Sequence, residues 1–246
     1  MRAPAGPEKA SEIMTALVPP AQWAVYAEFI AEASRRGIPF AVGGGLAVSA
    51  YSDCVRNTKD MDIYIMEKDS RIVMEISREL RFTEYTTVPY DPTWSYRSCR
   101  DGYILDFLWK MLNGRAWVDE NWVTKGWELK VRGTAFRLLP VEELVWSKLY
   151  IMRNDRTDWP DIISLLYARG AELNWPRLLA NLGEDRLLLG GVVSLLRWLC
   201  PGHVSTFPDS IWAPLGLLPP SFDTPGIDRD RVALINGEHL FPGGLP

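Results

Sequence analysis

Two aspartates separated by a single residue interrupt an apolar stretch of the chain, D-M-D-I-Y-I. Side chains alternate along a strand, so Asp60 and Asp62 are expected to point to one face while Met61 and Ile63 point to the other. Two carboxylates that close repel each other, and a divalent cation removes the repulsion. Asp106 stands alone in a second apolar stretch, which predicts either a third carboxylate beside the pair or an edge-strand charge that faces solvent.

Three consecutive glycines lie a short distance upstream of the aspartate pair. Gly43, Gly44 and Gly45 follow a short apolar stretch at 38–42 and precede an Ala- and Leu-rich segment at 44–51. A strand, a glycine turn and a helix N-terminus together form an anion site, because free backbone N–H groups and the helix dipole both favour phosphate. The turn fits a phosphate-binding enzyme, and it also fits a turn that serves only tight packing.

A dinucleotide-binding Rossmann fold is one alternative for this turn. Gly43 and Gly45 follow a strand, and Glu67 lies about 20 residues further on, where such folds place a ribose-binding acid. Val48 occupies the position of the third glycine, and hairpins rather than βα units follow. A buried strand of a dehydrogenase also has no reason to carry two aspartates. These three features favour the metal-dependent alternative.

The helices and strands that position these residues can be predicted from hydrophobic periodicity and from residues typical of turns. Asp101-Gly102 predicts a tight hairpin between two strands. The predicted strands cover residues 38–42, 60–66, 82–88, 94–100, 103–109, 127–131 and 134–138. The predicted helices cover residues 21–36, 44–51, 69–80, 141–153, 159–168, 175–182 and 184–199.

This order of elements predicts an α+β protein with a mixed sheet flanked by helices and a helical C-terminal half. We expect a catalytic domain at residues 1–139 and a helical domain at 140–200 that completes the cleft. Prolines and glycines crowd residues 201–246, which predicts an extended tail.

The motifs together resemble the nucleotidyltransferase superfamily related to DNA polymerase beta. Its pattern of a hydrophobic residue with two small residues, then Asp-h-Asp-h, then h-Asp-h, is matched by Val42-Gly43-Gly44, Asp60-Met61-Asp62-Ile63 and Leu105-Asp106-Phe107. Within this superfamily, the sequence around the motifs is most similar to the minimal and AbiEii-like toxin-type branches and to the aminoglycoside adenylyltransferases. The resemblance covers residues 38–170. A glycine stands where the pattern usually has serine, so this chain offers no hydroxyl to a phosphate there.

The resemblance implies transfer of a nucleoside monophosphate from an NTP, such as ATP, to an acceptor hydroxyl. Asp60 and Asp62 would bind two Mg²⁺ ions about 3.5–4 Å apart. Asp106 would bind the ion nearest the acceptor and assist deprotonation of its hydroxyl. The backbone of the glycine turn would hold the β and γ phosphates.

Several other charged residues are candidates for the nucleotide site. Arg56 or Lys59 could neutralise charge on the departing pyrophosphate. Lys148, the one cation in the apolar stretch 144–152, could reach the triphosphate or instead extend to solvent.

Two acids further along have a local explanation as well as a functional one. Asp158 is expected to cap the helix that follows it, and Asp161 at its third position favours the helix dipole. The toxin-type branch places an acid of this region in its site, which leaves a role open for Asp161.

The amino-acid composition of the chain limits the classes of binding partner that we expect. The net charge of −4 over 246 residues gives no basic footprint, so a large nucleic acid is not the expected acceptor. We expect no membrane span, and three cysteines in no disulfide or zinc pattern favour a cytoplasmic protein. The identity of the acceptor stays open between a small molecule, a protein and an RNA end. The oligomeric state stays open as well. A catalytically inactive relative that binds nucleotide or a partner is the alternative function, and the presence of all three aspartates argues against it.

Overall fold

The structure, a computed structural model, describes residues 6–55, 58, 60–111, 114–220 and 226–243. The chain divides into two compact units. The sheet unit comprises the described residues within 5–50 and 55–140, and the helical unit those within 51–54 and 141–246.

The named strands are all short and lie in the sheet unit, whereas helices of up to 16 residues occur in both units. The strands are β1 (Phe40–Val42), β2 (Asp60–Ile65), β3 (Thr83–Glu84), β4 (Ser95–Arg100), β5 (Tyr103–Leu108), β6 (Glu128–Val131) and β7 (Thr134–Arg137). The helices are α1 (Pro7–Leu17), α2 (Pro20–Arg35), α3 (Gly44–Ser52), α4 (Ser70–Glu79), α5 (Glu120–Thr124), α6 (Val141–Leu149), α7 (Trp159–Arg169), α8 (Trp175–Leu182), α9 (Arg186–Leu199) and α10 (Arg229–Leu234).

The sheet unit is built on a five-stranded mixed sheet with the order β1-β2-β5-β4-β3. β2 and β5 run parallel, and the other neighbours are antiparallel. The hairpin between β4 and β5 turns at Asp101 and Gly102, which both have positive φ, 54° and 83°. These are the angles that a two-residue hairpin turn requires, and they explain the Asp-Gly pair. The predicted α+β class with a mixed sheet is confirmed.

One face of this sheet is apolar and packs on α2. Met61, Ile63, Leu105 and Phe107 alternate with the aspartates and are fully buried. Phe29 of α2 contacts Phe107 with ring centroids 4.8 Å apart. Burial of this face fixes the strand register, because a shift of one residue would bury the aspartates instead.

The helical unit packs apolar stripes of α6, α7, α8 and α9 against one another. Leu144, Leu165, Leu178 and Val192 are fully buried at these contacts. Within the part of the chain that the structure describes, no helix has both the length and the apolar character needed to cross a membrane.

Some predicted elements differ from those observed. The strand predicted at 82–88 is only Thr83–Glu84, and the helix predicted at 141–153 ends at Leu149. The helix ends because the chain turns into a bridge between Met152 and Thr157. The tail was predicted to be extended, which is wrong: its described part contains α10 and three short 3-10 helices, at Val204–Thr206, Asp209–Ile211 and Glu238–Leu240.

Besides α10 in the tail, two helices were not predicted from the sequence. α1 begins at Pro7 and buries Ala10, Ile13 and Met14, and it packs on β6. Asp119 caps α5 by accepting hydrogen bonds from the next turn of backbone. Prolines close to both ends of α1 obscured the helical spacing of its apolar residues in the sequence.

Candidate active site

Three aspartates lie on the face of the sheet opposite α2, and we call them the carboxylate face: Asp60, Asp62 and Asp106. Asp62 is paired directly with Asp106 across the parallel strands β2 and β5. Asp60 lies two residues before Asp62 and therefore shares its face. Asp60 and Asp62 are partly exposed, whereas Asp106 is only 7% exposed. The alternative that Asp106 lies on an edge strand facing solvent is wrong, because β5 lies between β2 and β4.

An arginine that the sequence analysis did not single out contacts the carboxylate face. Arg97 of β4 is opposite Asp106, and its Nε and Nη2 donate to Oδ1 and Oδ2 of that carboxylate, the second over 2.6 Å. The pairing raises the pKa of Arg97, to which Asp60 and Asp62 also contribute. Burial raises the pKa of Asp106 above its ordinary value, and Arg97 opposes but does not cancel that rise. Asp106 is thus a buried carboxylate held in a two-point ion pair.

The glycine turn lies directly against the carboxylate face. Gly44, the first residue of α3, has φ +58°, and a Cβ there would lie 1.6 Å from Oδ2 of Asp62. A Cβ on Gly43 would lie 2.2 Å from the ring of Tyr64. Gly45 differs, since its Cβ would meet Thr58 at 3.5 Å, an ordinary contact. The first two glycines are therefore required for the close approach of turn and strand, and the third is not.

Asp60 has a partner of its own just upstream. The Thr58 hydroxyl donates to Oδ1 of Asp60 over 3.0 Å, which orients the carboxylate. Arg56 and Lys59, predicted to act on the nucleotide, lie outside the described residues.

The carboxylate oxygens of this face are suitable ligands for a hard divalent cation, although the three aspartates do not all share one ion. Among the described residues, no group of three or more acids, histidines or cysteines is placed to share one metal ion. Arg97 occupies both oxygens of Asp106. Asp60 and Asp62 form a carboxylate pair on the same face, and Mg²⁺ typically takes one or two protein carboxylates together with substrate phosphates.

The helical unit contains a second group of charged residues, the Lys148 cluster: Lys148, Arg156, Asp158 and Asp161. Nζ of Lys148 lies 2.8 Å from Asp158 and 2.7 Å from Asp161, and all three side chains are at most 6% exposed. The alternative that Lys148 extends to solvent is wrong. Its ammonium joins α6 to the start of α7, since Asp158 and Asp161 both belong there. Binding of the triphosphate by Lys148 stays a prediction.

Asp158 does not cap α7 with its side chain, contrary to the prediction. It occupies the N-cap position but makes no side-chain cap hydrogen bond. Its carboxylate instead accepts from Nε and Nη2 of Arg156 and from Lys148. Burial alone would raise the pKa of Asp158, but these hydrogen bonds and charges outweigh it and lower the pKa.

The Rossmann alternative is wrong on topology. β1 and β2, on either side of the glycine turn and α3, are antiparallel. The βαβ unit of a dinucleotide-binding fold requires parallel strands there. Glu67 lies in an exposed 3-10 turn after β2.

Comparison with known proteins gives one family over most of the chain. Residues 23–208 match the family described as nucleotidyl transferase of unknown function (DUF2204). No protein of curated function matches the sequence.

Several solved structures resemble this one at low identity. ANT(2")-Ia in complex with adenylyl-2"-tobramycin is 16% identical with a TM-score of 0.49, over 65% of this chain and 94% of that one. The lincosamide antibiotic adenylyltransferase LnuA, lincomycin-bound, is 15% identical with a TM-score of 0.41, over 60% and 96%. An antigenic nucleotidyltransferase-like protein from Paracoccidioides brasiliensis is 16% identical with a TM-score of 0.39, over 77% and 95%.

The family match carries the assignment, and the motifs that suggested it lie on the carboxylate face and the glycine turn. The chain belongs to the DUF2204 family of nucleotidyltransferases, enzymes that transfer a nucleoside monophosphate.

Proposed function

We propose that this protein is a Mg²⁺-dependent enzyme that moves a nucleoside monophosphate from an NTP onto a hydroxyl group of a small molecule, a protein or a short RNA end. The observation that carries the proposal is the contact between the glycine turn and the carboxylate face. Oδ2 of Asp62 is so close to Gly44 that even a methyl group would not fit. The turn that would bind phosphate therefore lies against one of the two carboxylates that would bind the metal.

Asp60 and Asp62 would hold the metal. Mg²⁺ bound there would neutralise negative charge on the α-phosphate and on the departing pyrophosphate. The hydrogen bond from Thr58 orients Asp60 before any ligand arrives, and preorganisation of that kind lowers the cost of binding. The second ion that the family resemblance implies would need Asp106.

The glycine turn would hold the triphosphate. α3 begins at Gly44, and the N–H groups of a helix's first turn have no partner within the helix. The helix dipole favours negative charge at that end. A side chain at Gly43 or Gly44 would displace Tyr64 or Asp62, so the turn is shaped by close approach of the strand.

Asp106 would accept the proton of the acceptor hydroxyl. Its raised pKa makes it a better base than an exposed aspartate, and the cause is burial. Arg97 keeps the carboxylate in one orientation through two hydrogen bonds. This role requires Asp106 to be ionised when the acceptor arrives, which the charge of Arg97 favours.

The charge of the chain supports the proposed acceptor class. The chain has 31 acidic against 27 basic residues. A large nucleic acid is bound through many Lys and Arg contacts to phosphate, for which this balance is unsuited. Cys54, Cys99 and Cys200 are free thiols, which supports a reducing compartment such as the cytoplasm.

The test is transfer of label from each α-labelled NTP to a component of a cell extract, in Mg²⁺ and in EDTA. We expect one labelled acceptor, formed only with Mg²⁺. Asp62→Asn should abolish the labelling. Asp101→Asn is the matched control, because Asp101 is an exposed turn residue and asparagine tolerates its positive φ.

Two results would contradict the proposal. Labelling that persists in EDTA would exclude the metal. Magnesium-dependent binding of NTP without any transfer would identify an inactive relative.

A further inference from the structure

Thr58 contacts both parts of the proposed site, the carboxylate face and the glycine turn. Its Oγ1 lies 3.0 Å from Oδ1 of Asp60 and 3.0 Å from the backbone oxygen of the same residue. The same side chain lies beside the first turn of α3, since a Cβ on Gly45 would be 3.5 Å from the Thr58 Cβ and 3.7 Å from its Oγ1. Neither the motif pattern nor the family match assigns Thr58 a role.

The Thr58 hydroxyl has one proton and two acceptors within reach. An ionised carboxylate and a backbone carbonyl only accept hydrogen bonds, whereas a hydroxyl donates one. The proton therefore serves one of the two Asp60 oxygens at a time or is shared between them. A stronger acceptor that arrives nearby can take this proton, because the hydroxyl is not committed to a single partner.

A bound nucleotide would change which acceptor is the strongest. A divalent cation on Oδ1 of Asp60 draws negative charge from that oxygen and makes it a poorer acceptor. A triphosphate at the start of α3 would bring charged oxygens beside Thr58, and a hydrogen bond to a charged oxygen is roughly twice as strong as one between neutral groups. The turn itself offers no hydroxyl to phosphate, because its three residues are glycines.

We propose that Thr58 is a phosphate-binding residue of the nucleotide site. Its hydroxyl donates to Asp60 before metal and nucleotide bind, and to a phosphate oxygen of the NTP afterwards. This inference rests on the proposed metal-dependent function. Because the metal weakens the hold of Asp60 on the Thr58 proton, binding of the metal favours binding of the nucleotide.

The test measures binding of nucleotide at saturating metal. Thr58→Val replaces the hydroxyl with a methyl group of similar size, and Thr58→Ser keeps the hydroxyl. The probes are four NTP analogues, one for each base, with a methylene group between the α and β phosphorus atoms. Isothermal titration calorimetry is run at a Mg²⁺ concentration above which the affinity no longer rises. Thr58→Val should weaken binding of the tightest analogue about tenfold, and Thr58→Ser should stay within about twofold of the wild type.

Saturating Mg²⁺ distinguishes this role from orientation of Asp60 alone. A threonine that only orients Asp60 would affect the affinity for the metal, and its loss would have no effect once the metal is saturating. Titration of Mn²⁺ without nucleotide, followed by electron paramagnetic resonance of the free ion, measures that contribution separately. Wild-type affinity of folded Thr58→Val for the analogue at saturating Mg²⁺ would overturn the inference.

A matched control comes from the opposite edge of the same sheet. Thr83 of β3 is exposed, and its hydroxyl donates to the backbone oxygen of Cys99 over 3.3 Å. Thr83→Val should therefore bind the analogue as the wild type does. Thermal unfolding verifies that each variant is folded. If Thr58→Val does not fold, Thr58→Ala removes the same hydroxyl and is judged by the same criterion.

Failure of this inference is distinguishable from failure of the proposed function. If none of the four analogues binds the wild-type protein in Mg²⁺, the proposed function itself is contradicted. If the wild-type protein binds an analogue and the variants that lack the Thr58 hydroxyl bind it equally well, only the role of Thr58 is overturned.

Discussion

Asp106 and Asp158 are both buried carboxylates that accept two hydrogen bonds from an arginine, yet the charged groups to which they belong differ in composition. Asp106 shares its face with Asp60 and Asp62, and Arg97 pairs with Asp106. Asp158 shares its cluster with one further acid and two cations. The first group places three carboxylates beside a glycine turn, and the second combines two acids with two cations.

This difference predicts a functional role for the carboxylate face and a structural role for the Lys148 cluster. Like charges held together cost stability, so a cluster of carboxylates is typical of a site where a ligand supplies positive charge. A balanced, buried group needs no ligand, and its loss leaves an uncompensated charge. We therefore expect substitutions on the carboxylate face to affect activity and substitutions in the Lys148 cluster to affect stability.

The largest effect is expected on the carboxylate face. Asp62→Asn should lower kcat/KM about 10³-fold, which corresponds to roughly 4 kcal/mol, because it removes a metal ligand. The free energy of unfolding without metal should stay the same or rise slightly, because the repulsion from Asp60 is relieved. Label transfer and denaturant unfolding of the same preparation check both. A marked loss of apo stability would show that the carboxylates are structural.

The Lys148 cluster should respond in the opposite way. Lys148→Met leaves Asp158 and Asp161 buried with one cation fewer and should cost about 3 kcal/mol of unfolding free energy. Lys9→Met is the control, since Lys9 is 52% exposed in a surface ion pair and its loss should cost less than about 1 kcal/mol. Denaturant unfolding at neutral pH measures both. A stable Lys148→Met protein with weakened NTP binding would return Lys148 to the nucleotide site.

A smaller effect is expected at the glycine turn. Gly44→Ala forces a side chain into the space of the Asp62 carboxylate at positive φ and should cost about 2 kcal/mol, with loss of activity. Gly45→Ala meets only an ordinary contact and should change stability by less than about 1 kcal/mol. Thermal unfolding and label transfer of the two variants check this. Equal effects at both positions would contradict the close approach of turn and strand.

The smallest effect is a difference in pH dependence. The pKa of Asp158 is lowered on folding, so its stabilisation is present above its unfolded pKa and is lost as pH falls through the folded pKa. The pKa of Asp106 is raised, so its charged form costs stability, and that cost disappears on acidification. Each proton changes the slope by at most about 1.4 kcal/mol per pH unit. Unfolding of Asp158→Asn and Asp106→Asn near pH 4 should show slope changes of opposite sign, and slope changes of the same sign would contradict the assignment.

Much of the carboxylate face could be predicted from local sequence. An aspartate in an apolar strand is conspicuous, and the alternation of side chains puts Asp60 and Asp62 on one face. Arg97 could also have been found. The turn at Asp101 and Gly102 pairs residues 100 and 103, and counting back along both strands places Arg97 opposite Asp106.

The Lys148 cluster could not be predicted in the same way. Its members lie in α6, in the loop that follows and at the start of α7, and their contact depends on how α6 packs on α7. Sequence shows a lysine in an apolar stretch but not the acids that neutralise it. The favourable capping position of Asp158 was misleading, because two nearby cations compete more strongly for its carboxylate than the helix N-terminus does.

The most direct test of the central claim is thermal unfolding with Mg²⁺ and a non-hydrolysable NTP analogue, because it requires no acceptor. The two ligands together, at about 100 times their dissociation constants, should stabilise the wild-type protein by roughly 2.7 kcal/mol. Neither should do so alone. Asp62→Asn should show no shift, and the exposed control Asp101→Asn should shift as the wild type does. An equal shift in Asp62→Asn would contradict the claim that the carboxylate face is where the metal and the nucleotide bind.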